Sequence, residues 1–317
     1  MLIWIAFLVL VFVLLALDLG VFNKKAHTIS FREAIRWTTL WVSLALLFSG
    51  VIYYLYDQGL VENPEGLTAK GALLKYLTGY LVEQSLSMDN IFVIAVIFSY
   101  FKVPGDYQHR VLFWGILGAL VFRGLMIFLG VILLAKFGWM MYVFGGFLLY
   151  SAFKMIGGDD HVSLEDNPTI KLLKRVFPVT KDYHGDKFFV KIQGLWMATP
   201  LFVALLIVET TDIMFAFDSI PAIFAITTDP FLVFTSNIFA ILGLRSLYFV
   251  LAAVIDKFTY LKYSLVAILV FVGLKMILHE WVHLPEWASL AFIILALSTG
   301  VMVSIVANRK KPSGIEG

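Results

Sequence analysis

Cysteine is absent from the 317-residue chain, and charged residues are scarce, at 15% of the total. The absence of cysteine excludes disulfide bonds and thiolate metal sites. A typical soluble domain is about 25% charged and about 45–50% apolar, whereas 61% of this chain is hydrophobic and its mean hydropathy is +0.90. A water-soluble fold cannot hide that much apolar surface, so the composition predicts an integral membrane protein.

Nine segments each contain roughly the 20 mostly apolar residues that a membrane-spanning helix needs. The first has no positively charged lead and no small-residue cleavage site, so we interpret it as a retained span and not a signal peptide. The predicted fold is a single all-α domain over residues 1–317, embedded in a lipid bilayer and without a nucleic-acid partner. The predicted spans are about 2–22, 35–56, 72–100, 111–135, 138–157, 195–227, 231–254, 259–279 and 286–307.

Lysine and arginine are unevenly distributed between the two sides of these spans. With the N-terminus outside, seventeen of the 24 lie on the inner side, three on the outer side and four within spans. Cytoplasmic loops carry such an excess, so we expect an outside N-terminus and a cytoplasmic C-terminus. Six of them lie in the long loop 158–194. Its residues 169–177 could form an interfacial helix or remain a plain linker.

Two halves of the chain share a pattern of rare polar residues. "EQSLSMDN" (83–90) and "DIMFAFDS" (212–219) both read as an acid, five residues, an aspartate and a polar residue. "ILG" and then an arginine follow in each half, and "KMI" follows later. We therefore predict repeat A at about 72–157 and repeat B at about 195–279. Each holds three spans, so the copies would be inverted, as in many secondary transporters with a site between the copies.

Acidic residues inside the predicted spans are the main functional signal. Each charge near the centre of a span costs about 2.5–3.5 kcal/mol on insertion scales. The two intramembrane arginines, Arg123 and Arg245, would pair with acids in the empty state but cannot neutralise them all. We therefore expect some acids to be protonated or to hold a cation. The six acids are Asp18, Glu83, Asp89, Glu209, Asp212 and Asp218.

Two alternatives to a cation site stay open for these residues. The arginines could form purely structural ion pairs, and Asp18 could meet solvent or Lys24 at the end of its span. Helical spacing of about 100° per residue puts Glu209 and Asp212 on one face and Asp218 on the opposite side. Pro221 removes the backbone hydrogen bond to residue 217, which predicts a kink or an unwound turn near Phe217.

The ligands that could surround a cation are all oxygen donors. Asn90 would join the carboxylates, with Ser219, Thr211 and Asn237 as accessory ligands. Oxygen ligands suit Mg²⁺, Ca²⁺ or Mn²⁺ and argue against thiolate-bound metals, but they do not choose among the three. Spare carboxylates could also carry protons, so cation–proton exchange is a natural hypothesis. We expect a transporter and not an enzyme, with no resident cofactor.

Two other classes of function compete with transport. "HEWVH" (279–283) fits the zinc motif H-E-x-x-H, in which two histidines one helical turn apart bind zinc and Glu280 acts as the base. Pro285 favours a helix end there, and Glu286 is the best candidate for a third ligand. A membrane scaffold or accessory protein is the other alternative, and loop 158–194 would be its soluble part.

Four stretches carry a resemblance to a known family: "LDLGVFNKKAHTISFREAIRW", "TGYLVEQSLSMDNIFVIAVIFSYFKVP", "QHRVLFWGILGAL" and "VETTDIMFAFDSIPAIFAITTDPFLVFTSNIFAILGLRSLYF". Over residues from about 10 to 305 the chain resembles the TerC family of bacterial membrane proteins, in particular its Alx branch. That family is associated with tellurium-ion resistance, with alkaline and manganese stress, and with export of Mn²⁺.

The resemblance implies a location in the bacterial plasma membrane and Mn²⁺ as the exported substrate. It also implies a role in transport for the matching acids Glu83, Asp89, Glu209, Asp212 and Asp218, with Asp18 as a further candidate. A site rich in carboxylates would repel the tellurite anion, so direct tellurite transport is not expected. The oligomeric state is left open.

Overall fold

The computed structural model describes residues 2–20, 29–157, 178–252, 260–282 and 284–310, without the side chains of residues 18–20, 89 and 308–310. This part of the chain contains nine helices and one β-hairpin, so the predicted helical fold is confirmed. The helices are α1 (Leu2–Gly20), α2 (Phe31–Asp57), α3 (Ala69–Phe101), α4 (Gly105–Lys136), α5 (Met140–Gly157), α6 (Pro200–Phe224), α7 (Pro230–Ala252), α8 (Leu261–Ile277) and α9 (Glu286–Lys310). The hairpin consists of β1 (Phe189–Ile192) and β2 (Leu195–Ala198).

Six of the nine helices are long and apolar enough to cross a membrane: α2, α3, α4, α6, α7 and α9. The other three are shorter apolar helices of 17 to 19 residues. Each predicted span therefore contains a helix. The sixth predicted span began too early, because residues 195–198 form β2 and α6 begins only at Pro200. Proline suits the first helical position, where its missing N–H has no partner to lose.

Local sequence signals set several helix ends. Ser30 caps α2 by accepting from the Glu33 N–H at 3.3 Å, and Thr68 caps α3 by accepting from the Gly71 N–H at 3.1 Å. Side-chain oxygens of this kind satisfy backbone donors that have no partner in the first turn. At the other end of α3, Lys102 adopts a left-handed backbone conformation (φ 52°). Left-handed residues commonly end helices, so α3 and α4 are joined by a short turn.

Contacts between loops show the relative direction of α3 and α6. Glu65, after α2, accepts from the Thr228 N–H at 2.5 Å and from the Thr227 hydroxyl at 2.9 Å, which places the start of α3 beside the end of α6. At the other end of the bundle, the Tyr183 hydroxyl donates to the Phe101 carbonyl at 2.7 Å. The end of α3 is thus joined to the segment that leads into α6. Helices α3 and α6 therefore run antiparallel.

Helix α7 is the centre of the bundle. From Phe231 to Tyr248 every residue except Phe234 is buried. Helices α2, α3 and α4 pack on α7, while α4 also packs on α6 and α5 packs on α8. The outer faces of α4 and α9 expose apolar side chains such as Phe128 and Leu295. These faces are suited to contact lipid, whereas polar side chains on α7 are enclosed by protein.

Two features differ from the prediction. Helix α6 is continuous from Pro200 to Phe224 with Pro221 inside it, so the unwound turn expected near Phe217 is wrong. The proline lies in the last turn, so the one backbone hydrogen bond that it removes, to the carbonyl of Phe217, lies close to the helix end and only three helical residues follow it. The second feature is loop 158–194. Its predicted interfacial helix lies outside the described residues, and its last residues form β1, which the sequence pattern did not predict.

Candidate functional site

The guanidinium of Arg123, on α4, is the centre of a buried polar cluster. Its Nη1 donates to Glu83 Oε1 of α3, and its Nε and Nη2 donate to the two carboxylate oxygens of Asp212 on α6, at 3.2 and 3.0 Å. Ser219 Oγ lies 3.3 Å from Nη1. The side chains of Arg123 and Glu83 are each 1% exposed, and that of Asp212 is 12% exposed. One arginine therefore holds two acids, one from each predicted repeat.

Two amide side chains complete this cluster. Asn237, on the central helix α7, donates from Nδ2 to Glu83 Oε2 at 2.9 Å. Its Oδ1 is buried and has no hydrogen-bond donor within the described part of the chain. Asn90 is best satisfied when its Oδ1 accepts from Arg123 Nη2 at 3.2 Å and its Nδ2 donates to the Leu86 carbonyl at 3.3 Å. The cluster thus joins four helices, α3, α4, α6 and α7.

The cluster contains more acidic groups than basic ones. Two carboxylates face a single guanidinium, and charges removed from water need good partners to offset several kcal/mol of desolvation each. Bidentate pairing of Arg123 with Asp212 is a strong form of such a contact. The pairing leaves a net negative charge when both acids are ionised. The net negative charge would therefore favour the binding of a cation.

Glu209 adds a third carboxylate one helical turn before Asp212 on α6. It packs against Gly118 of α4, where a Cβ would overlap with its carboxylate, and its Oε2 is buried without a donor among the described residues. Asp218 instead faces α5 and accepts from the Ser151 hydroxyl at 2.6 Å. Glu209 and Asp212 thus share the α4 side of the helix and Asp218 points elsewhere, as the helical spacing predicts.

The remaining candidate residues lie away from this cluster or outside the described side chains. Thr211 donates its hydroxyl to the Ile207 carbonyl of its own helix at 2.6 Å. Arg245 on α7 is buried, with its Nη1 2.9 Å from His109 Nε2. The side chains of Asp18 and Asp89 lie outside the described part of the structure, so their predicted role stays a prediction.

Among the described residues, no three histidine, aspartate or glutamate side chains are grouped as a ready-made metal site. The physical reason is visible at Arg123, because its guanidinium lies between Glu83 and Asp212. Those two acids could share a metal ion only if the guanidinium withdrew from at least one of them.

The H-E-x-x-H segment does not have the geometry of a zinc site in its described residues. Helix α8 ends at Ile277, so His279 and Glu280 lie in the turns that follow it. His279 Nδ1 is 3.1 Å from the Met276 carbonyl oxygen. The zinc motif requires a helix to place its two histidines on one face, and residues 279–282 are not helical. His283 lies outside the described residues.

A cavity of about 290 Å³ lies at the end of the bundle that contains Glu65, and Lys75, Thr78 and Lys275 contribute to its lining. Lys75 and Thr78 precede Glu83 on α3 by eight and five residues, or roughly 12 and 8 Å along the helix axis at 1.5 Å per residue. The layer between is tight at Gly79, where a Cβ would lie 3.0 Å from Ser236 Oγ and 3.1 Å from Ile223 Cδ1. The helices therefore pack closely at Gly79, between this cavity and the cluster.

Three contacts of the candidate residues were not predicted from sequence: Ser151 with Asp218, His109 with Arg245, and Gly118 with Glu209. Ser151 is a polar residue inside the apolar run "FLLYSAF", which was an available signal. The glycine gave no signal of its own, because small residues are common in membrane helices wherever two helices approach closely.

Comparison with known proteins identifies the family. The family model described as "Integral membrane protein TerC family" matches residues 68–312. The chain belongs to the TerC family. The matched range includes α3 to α9 and therefore the whole cluster around Arg123, whereas α1 and α2 precede it. The resemblance noted from the sequence is thus confirmed, and the protein is a multi-pass integral membrane protein.

Curated relatives of this TerC protein match over nearly their full length. An uncharacterized membrane protein of Myxococcus xanthus is 50% identical over 98% of this chain and 94% of its own. A protein of Photorhabdus laumondii named "Putative membrane-bound redox modulator Alx" is 45% identical over 98% of this chain and 96% of its own. The protein of that name in Escherichia coli K12 is 44% identical over 96% and 92%. No solved structure matches the chain.

Proposed function

We propose that this TerC protein is a divalent-cation transporter that exports Mn²⁺ across the bacterial plasma membrane. The observation that carries the proposal is the excess of buried acidic groups over basic groups around Arg123. Glu83 and Asp212 share one guanidinium, while Glu209 Oε2 and Asn237 Oδ1 have no donor within the described residues. Such oxygens inside a membrane bundle are costly without a partner, and a hard divalent cation is the partner they suit.

The packing of the helices supports an inverted repeat as the framework of this transporter. The two repeats would pair α3 with α6, α4 with α7, and α5 with α8. When the members of each pair are exchanged, the α3–α7 contact becomes the α6–α4 contact, and the α5–α8 contact maps onto itself. All three contacts exist, and α3 runs antiparallel to α6. Inverted repeats place the substrate near the midplane between the copies. We accordingly propose nine spans, with α1, α5 and α8 as the short ones.

Arg123 has the role of a resident counter-ion in this mechanism. Without metal it neutralises Glu83 and Asp212, and an entering cation would take over at least one carboxylate while the guanidinium withdraws. The tight packing at Gly79 supports a site that is closed towards the Glu65 end in the described conformation. Alternating access requires that this layer open at another stage. We also propose that the metal is exchanged for protons, which spare carboxylates would carry, and that the N-terminus lies outside the cell.

The proposal is tested with purified protein in vesicles that contain a metal-sensitive dye. We expect Mn²⁺ flux, its dependence on an imposed pH gradient, and about 10–100-fold weaker transport for Asn237→Leu, as when a supporting ligand is lost. Glu83→Gln and Asp212→Asn should also reduce flux strongly. Glu62→Gln, an exposed acid in the loop after α2, is the matched control. Wild-type flux in all three cluster variants would overturn the site, and no flux by the folded protein would favour the accessory class.

The names of the relatives suggest a redox role, and the composition of this chain limits the ways in which it could have one. This chain has no cysteine and cannot exchange thiols for disulfides. A redox effect would therefore be indirect, through a metal that the protein moves or through a partner protein. Metal content of cells with and without the protein, measured across several divalent ions, separates these two routes.

A further inference from the structure

The hairpin before α6 exposes an apolar tip. Strands β1 and β2 pair so that Lys191 lies opposite Trp196 and Ile192 lies opposite Leu195. Gln193 and Gly194 form the turn, both with left-handed backbones (φ 51° and 85°), which suits the two-residue type I′ turn of tight hairpins. Leu195 is 67% exposed and Trp196 is 62% exposed. The described part of the protein therefore covers neither of these large side chains.

Contacts at its base fix where the hairpin lies. Thr199, directly before α6, donates its N–H to the Phe188 carbonyl at 2.9 Å and its hydroxyl to the Lys187 carbonyl at 2.7 Å. The ring of Phe189 packs on that of Phe202 in the first turn of α6, at 4.4 Å between centroids. Because α6 is a candidate membrane span, its first turn lies near the membrane edge. The hairpin is thus held at that edge.

The charge of the hairpin indicates which surface it meets. Over residues 187–198 the only charged residues are Lys187 and Lys191, and both are positive. Both side chains are exposed. Tryptophan next to lysine is typical of segments that lie in the headgroup layer, where the ring is half in hydrocarbon and the ammonium reaches lipid phosphates. The chemistry of the tip therefore fits an anionic lipid surface.

We propose that the hairpin tip inserts into the headgroup layer of the adjoining leaflet and binds anionic lipid through Lys187 and Lys191. Leu195 and Trp196 supply the apolar contact. This anchor does not depend on which ion the protein transports, so it stands or falls separately from the proposed function. It would fix the loop before α6 relative to the membrane while the helices move.

The cysteine-free sequence makes a direct test possible. Leu195→Cys introduces the only thiol, which is labelled with an environment-sensitive fluorophore in protein held in lipid nanodiscs. We expect quenching by spin-labelled lipid and protection from aqueous acrylamide when phosphatidylglycerol is present. Glu62→Cys, in the loop after α2 at the opposite end of the bundle, is the control and should show neither effect. If Leu195→Cys does not fold, Trp196→Cys gives the same readout.

The two lysines provide the second arm of the test. With Lys187→Gln and Lys191→Gln added, the ratio of inserted to free tip should fall about 25-fold in discs with phosphatidylglycerol, from the contribution of each lysine near an anionic surface. Equal insertion in discs of phosphatidylcholine alone would overturn the lipid preference. Acrylamide access equal to the Glu62→Cys control would overturn insertion. Shielding that appears only with cross-linking between tips would identify a second copy as the occupant instead.

Discussion

Replacing Arg123 with glutamine should destabilise this protein far more than replacing another arginine on the same helix. Arg123→Gln leaves Glu83 and Asp212 buried without their shared cation. Removing one partner from a buried ion pair costs about 3–5 kcal/mol, because the other charge remains in a poorly solvated site. The matched control is Arg110→Gln on α4. Arg110 pairs with Asp186 at side-chain exposures of 38% and 52%, so its loss should cost about 0–1 kcal/mol.

The measurement is unfolding of purified protein in mixed detergent micelles, followed by loss of helical circular dichroism. A double variant, Arg123→Gln with Glu83→Gln, isolates the electrostatic cause. Removing the second charge should recover part of the loss, with a coupling of roughly 0.5–3 kcal/mol for residues in direct contact. Equal effects of Arg123→Gln and Arg110→Gln, or no recovery in the double variant, would refute the role of buried charge.

Two further predictions concern packing and pH. A Cβ at Gly145 would lie 2.9 Å from a backbone oxygen of α8, whereas a Cβ at Gly146 would meet nothing within 4 Å. Gly145→Ala should therefore lower the stability of the protein by about 1–3 kcal/mol. The stability of Gly146→Ala should equal or slightly exceed that of wild type. Equal unfolding midpoints for the two would contradict the close helix contact. Burial alone would raise the pKa of Glu65, but its ion pair with Lys75 and its hydrogen bonds outweigh burial, so the pKa lies below its ordinary value of 4.5. The stability that ionised Glu65 gives the folded protein is therefore present above pH 4.5 and is lost as the pH falls below it. In unfolding measured at several pH values, Glu65→Gln should lose less stability at acid pH than wild type, whereas the control Glu62→Gln should behave like wild type. An unchanged loss of stability at acid pH in Glu65→Gln would contradict this role of Glu65.

The sequence predicted the helices and the acids well because both signals are local. Runs of apolar residues long enough for a span are unambiguous, and a carboxylate within such a run is conspicuous at once. The spacing of Glu209, Asp212 and Asp218 on one helix gave their relative directions by geometry alone. The hairpin was missed because only four residues form each strand, and "FVKI" and "LWMA" adjoin an apolar run that reads as a helix.

By itself, the sequence determined that this is an integral membrane protein, the position of its helices, its family and the presence of acids within its apolar helices. Only the tertiary structure decided which acids meet. Glu83 and Asp212 share Arg123, while Asp218 turns to Ser151. Helix α7 is buried along nearly its whole length and has no exposed polar face, so its residue pattern does not reveal which face meets which neighbour. That choice depends on close packing between helices that are distant in sequence.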